Sequence, residues 1–156
     1  MKDSVTQKQG IIPYLSMKDA DKAIDFYKKA FGAKEINRMM MPDGRIAHAE
    51  LEMGGSHIMI AEEIAEWGNK GPKTLGGSPV GMFLYVPDVD VVFKRALDAG
   101  AKIENNMDVK DQFYGDRSGN LLDPFGHKWT IATHIEDVSN EEMQKRMDEM
   151  MKEKKK

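Results

Sequence analysis

Apolar residues recur along this chain at a period of two in some stretches and near 3.6 in others, and the order of those stretches repeats. An apolar run over residues 11–17 reads as a strand, with Pro13 acceptable at a sheet edge. From Asp19, a plausible N-cap, Ala20, Ala23, Ile24, Tyr27, Ala30 and Phe31 recur at helical spacing until Gly32 stops the helix. Residues 34–41 and 46–53 read as a hairpin around Pro42-Asp43-Gly44. Gly54-Gly55 then turns into a strand over 57–61. The same β-α-β-β-β order returns: a strand over 81–86, a helix over 89–99, strands over 102–108, about 120–122 and 128–133, with Asp123-Pro124-Phe125-Gly126 as the last turn.

The copies lie roughly 70 residues apart, and a fixed spacing means that each is one supersecondary unit needing the other to bury its face. The expected architecture is therefore α+β: two βαβββ repeats within one domain over residues 1–138. The first unit spans 11–62, a Gly-rich connection 63–79 and the second unit 80–138. Residues 139–156 form a C-terminal amphipathic helix. Ser139 with Glu142 is a capping-box signal, and Met143, Met147, Met150 and Met151 make a stripe read as docking on its own subunit or on a second copy.

Bulk composition narrows the partners. The net charge of −3, with no basic stripe before the final lysines, gives no support to nucleic-acid binding. The absence of Cys excludes disulfides, thiolate metal sites and a cysteine nucleophile. No apolar run approaches membrane-spanning length and the first ten residues lack a signal-peptide core, so a cytoplasmic protein without membrane contact is expected.

The helix ending Phe26-Tyr27-Lys28-Lys29-Ala30-Phe31-Gly32 and the turn Asp123-Pro124-Phe125-Gly126-His127, on two β-α-β-β-β units, resemble the vicinal oxygen chelate superfamily of glyoxalase, bleomycin-resistance and extradiol-dioxygenase proteins. The segment from Tyr114 to Gly119 and the stretch through Trp129 to Asp137 look like its PhnB-like branch. The resemblance implies that the two repeats form a cup-shaped mixed sheet with the site inside it, a homodimer and, in the superfamily's enzymes, a divalent metal held by His, Glu or Gln from the first and last strands of each unit. Carried over position by position, those places are Ile12, Met59, Gly81 and Thr130, and a shift of one residue in the last strands supplies no better donor. A hard cation wants carboxylate, imidazole or amide oxygen. No metal site and no cofactor are expected.

Strand alternation puts Ile12, Tyr14 and Ser16, then Gly81, Phe83 and Tyr85, on the cup side, with Pro13, Leu15 and Met17 under the helix. Ile46, His48, Glu50 and Glu52 share a face opposite Ala47, Ala49, Leu51 and Met53. The candidate ligand-binding set is Tyr14, Ser16, His48, Glu50, Phe83, Tyr85 and Arg117; Arg117 serves to anchor an anionic group or to bridge to Asp116 or Asp123. His48 and Glu50 are the weak catalytic candidates, as a His–carboxylate pair. His57 and His127 follow similar glycine turns and are read as bonding the turn backbone. Three functions remain open at this point. One is binding of a small planar or aromatic molecule without a metal, of bleomycin-resistance type. The second is a lyase- or isomerase-like enzyme using His48 and Glu50 or an atypical metal site. The third is an interaction protein working through its Met-striped helix.

Overall fold

The computed structural model describes residue 8 and residues 10–155. The first unit runs β1 (Tyr14–Met17), α1 (Ala20–Phe31), β2 (Lys34–Met40), β3 (Ile46–Met53) and β4 (Ser56–Glu62). Its sheet order is β1-β4-β3-β2, with β1 parallel to β4 and the other pairs antiparallel. A 3-10 turn (Ala65–Trp67) and a short α2 (Pro72–Leu75) lie in the connection. The second unit runs β5 (Gly81–Tyr85), α3 (Val89–Asp98), β6 (Lys102–Ile103), β7 (Lys110–Asp111), β8 (Asp116–Leu122) and β9 (Lys128–His134). Its order is β5-β9-β8-β6, with β7 also on β8. α4 (Asn140–Glu153) follows. Among the described residues, no helix is long and apolar enough to cross a membrane.

The α+β architecture is therefore the expected one, and the differences have local causes. Asp19 does not cap α1: it sits at φ 58° with no side-chain cap, and Glu62 from the end of β4 accepts from the N–H groups of Asp19 and Ala20 at 3.0 and 2.9 Å. The equivalent Asp88 does cap α3, accepting from Val91 N–H. The connection expected as loop is pinned by Glu63, which accepts from Gly71 N–H and Thr74 Oγ1, both at 2.9 Å. The expected strand over 102–108 is cut to two residues because Asn105 and Asn106 take positive φ, and β8 begins four residues earlier than expected.

One apolar core runs through both units. α1 presents Phe26, Tyr27 and Phe31, and these pack on Phe125 and Trp129 of the second unit. Polar ties cross the same boundary: Arg95 Nε donates to the Ala30 carbonyl at 2.9 Å, and His127 Nε2 to the Ser16 carbonyl at 3.1 Å. The units consequently hold each other in place, and the faces away from the helices lie open.

Candidate functional site

On the first sheet, Leu15 and Met17 pack into the core, so alternation turns Tyr14 outward, 52% exposed. Pro13 is exposed rather than packed under the helix. Ile46 also departs from expectation. The β2–β3 register slips between Met39 (opposite His48) and Met40 (opposite Ile46), and the extra residue returns Ile46 to the core at 0% exposure. His48, Glu50 and Glu52 keep the outward face.

His48 and Glu50 do not pair with each other. The Tyr14 hydroxyl and His48 Nδ1 share a 2.9 Å hydrogen bond across the intervening β4, with the rings stacked. Glu50, 6% exposed, instead accepts from His57 Nδ1 at 2.8 Å. Its other oxygen takes Asn37 Nδ2 at 3.4 Å and faces Lys8 Nζ at 3.8 Å. The His57 hydrogen bond holds the Glu50 carboxyl below the usual range, against the opposing pull of burial. His57 is thus a member of the site and bonds no turn backbone, whereas His127 is buried and bonds across to β1.

The second sheet supplies an aromatic wall. Phe83 and Tyr85, two apart on β5, stand on one face with centroids 5.1 Å apart and about half exposed. Tyr85 donates to Asp116 Oδ2 at 2.7 Å, which raises the phenol's pKa. Asp116 Oδ1 accepts from His134 Nδ1 at 2.8 Å, and His134 Nε2 reaches Asp137 at 2.7 Å. The sequence reading missed this chain, because Asp116 lay in an expected loop.

A cavity of about 820 Å³ opens between the sheets where the β3–β4 turn approaches β5. Glu50, Phe83 and Tyr85 line it from the expected set, joined by Lys8, Ile12 and His57. Tyr14, Ser16 and His48 stand outside its lining; the Ser16 carbonyl is engaged by His127. Arg117 belongs to neither. It shares its face of β8 with Gly119, against which Phe93 of α3 packs, and its guanidinium is held by Asp90 at 2.8 Å and Asp111 at 3.0 Å. It bridges neither Asp116 nor Asp123, and offers no anion site in the cup.

The model of the Glyoxalase/Bleomycin resistance protein/Dioxygenase superfamily matches residues 11–131. The chain belongs to that superfamily. The protein Rv0887c of Mycobacterium tuberculosis is 40% identical over 147 residues, 92% of this chain and 85% of its own. The crystal structure of TioX from Micromonospora is similar at TM-score 0.63 with 28% identity, covering 82% of this chain and all of that one. A PhnB protein from Bacillus cereus shares the fold at TM-score 0.62 and 18% identity, over 80% and 99% of the two chains.

The superfamily's metal does not fit the residues here. Met59 stands opposite Tyr14 and Glu50 in the ladder, and Thr130 Oγ1 donates to Asn120 Oδ1 at 3.0 Å. Thioether, hydroxyl, glycine and isoleucine at the four positions give a hard cation almost nothing to bind. Among the described residues no group of three His, Cys, Asp or Glu side chains is arranged to hold an ion.

Proposed function

We propose that this superfamily member binds a small planar or aromatic molecule between its two sheets, using side chains rather than a resident metal. The carrying observation is the Phe83–Tyr85 pair, half exposed on the wall of a cavity of about 820 Å³ that the Glu50–His57 pair also lines. Exposed neighbouring aromatics facing a concavity with a few polar groups are what a ligand site requires. An aromatic guest stacked there gains about 0.5–1.5 kcal/mol beyond the burial of its area. The enzyme reading built on a His48–Glu50 pair has no support in that form, since each bonds another group.

The test is saturation-transfer NMR with a panel of planar molecules at millimolar concentration, repeated on Phe83→Ala. Binding weakened about tenfold by the substitution, which is roughly 1.4 kcal/mol, supports the reading. A panel in which no member binds overturns it.

A further inference from the structure

We propose that His57, oriented by Glu50, is a general base facing the cavity, placed to remove a proton from a planar carbon acid lying against Phe83 and Tyr85. The inference rests on the small-molecule reading above and adds a reaction class to it. Glu50 is buried, ionised and pinned by three neighbours, so its carboxylate is a fixed acceptor. A fixed acceptor at Nδ1 sets the neutral imidazole as the Nδ1–H tautomer and leaves the lone pair on Nε2. That nitrogen has no hydrogen-bond partner among the described residues, and the His57 side chain, 40% exposed, lines the cavity.

The charged and titratable neighbours favour the same direction of transfer. Those lining the cavity are Lys8, Glu50, His57 and Tyr85, and Glu52 is opposite His57 in the β3–β4 ladder. The Tyr85 hydroxyl already donates to Asp116. In the step itself, a C–H bond of the bound molecule breaks and its proton goes to Nε2. The electron pair stays on the molecule as an enolate-like anion, or expels a leaving group. The imidazolium so formed remains paired with Glu50, and the Lys8 ammonium shares the cavity with the new anion. His57 is the catalytic residue in this scheme and Glu50 the positioning residue.

The probe is 5-nitrobenzisoxazole, a planar carbon acid. Loss of its ring C–H proton to a base breaks the N–O bond and releases a coloured cyanonitrophenolate, with no other reactant. The wild-type protein in chelator is expected to open it faster than buffer alone. His57→Gln should lower kcat/KM by roughly tenfold or more. Glu50→Gln should lower the rate and erode the Nδ1–H preference of His57 in nitrogen-15 NMR while the other histidine signals stay in place, a pattern that a loss of folding would not produce. Nitrogen-15 NMR of the histidines should show His57 protonated at Nδ1. A probe that binds, yet is opened equally fast by wild type and His57→Gln, overturns the inference alone, as does an Nε2–H tautomer. A probe that fails to bind counts against the aromatic cavity and takes the inference with it.

Discussion

The phenol of Tyr27 donates a 2.5 Å hydrogen bond to Asp123 Oδ2, tying the helix of the first unit to a turn of the second. Both residues are buried, and Asp123 also accepts from Trp129 Nε1, Phe125 N–H and His127 N–H, each at 2.9 Å. Four donors on one buried carboxylate satisfy its oxygens inside an apolar core. The two units are joined at the turn that leads into β9, next to the strand they place beside the cavity.

Tyr27→Phe should therefore destabilise the protein by about 1.5–3 kcal/mol, the range for a hydrogen bond to a charged group. Asp123→Ala should cost more, because four donors lose their acceptor together. Burial first, and the Asp123 charge second, push the Tyr27 pKa well above 10.0. The folded state then holds that proton more tightly than the unfolded one. Its contribution is complete below pH 10 and is lost as pH climbs beyond. Urea unfolding of the three proteins at pH 7 and near pH 10.5 measures both effects. A Tyr27→Phe variant within about 0.5 kcal/mol of wild type would show the bond to be dispensable.

Close packing between sheet and helix gives a second expectation. A Cβ placed on Gly119 in β8 would lie 2.6 Å from Phe93 Cε2 of α3 and 3.1 Å from the Val109 amide nitrogen. Gly119→Ala should cost about 1–3 kcal/mol by overpacking. Adding Phe93→Leu should recover part of that loss, seen as a favourable coupling energy in a double-mutant cycle. Simple additivity of the two changes would mean that the backbone moves aside instead.

Much of this fold was legible because the repeat supplied each element twice. The Gly54-Gly55 turn also fixed more than was drawn from it. A two-residue turn sets Met53 opposite Ser56 and Glu52 opposite His57, which makes Glu50 and His57 diagonal neighbours on one face. The Glu50–His57 pair was thus available from register, whereas same-strand spacing suggested His48 with Glu50. Other features had no local signal. The cap of α1 comes from Glu62, more than forty residues away, and the bulge that buries Ile46 depends on how β2 pairs. Arg117 was misplaced because Asp116 to Gly119 form strand, so alternation sends Arg117 to the helix side and Asp116 to the other.

His134 should titrate above the ordinary histidine range. Asp137 first and Asp116 second raise its pKa by accepting from the two ring nitrogens, an arrangement only the imidazolium can make. For a group whose folded pKa is raised, the stabilisation is present below the unfolded value of about 6.5 and lost as pH rises through the folded pKa. Proton NMR of the His134 ring should give a midpoint above 6.5 in wild type and a lower one in Asp137→Asn. Equal midpoints in the two proteins would mean that the Asp137 contact does not persist in solution.

The C-terminal helix is held chiefly by one side chain. Ser139 caps it as expected, accepting from Glu142 N–H, but none of its residues is buried. Met147 and Met151 are 36% and 48% exposed, so the methionine stripe is at most partly docked on its own chain. The anchor is Arg146, which donates to the Phe113 carbonyl at 3.0 Å and pairs with Glu136 at 2.9 Å and Glu142 at 3.1 Å. Exposed ion pairs of this kind are worth about 0–1 kcal/mol each. Arg146→Ala should consequently speed amide exchange across residues 140–153 while leaving exchange in β4 and β9 unchanged. Ending the chain after Val138 should lower the melting temperature by only a few degrees, at about 2–4 °C per kcal/mol for a chain of this size. A cooperative loss of roughly 10 °C or more would show that the methionine stripe is packed against protein in solution. Its dependence on protein concentration would then tell a second copy from the same chain.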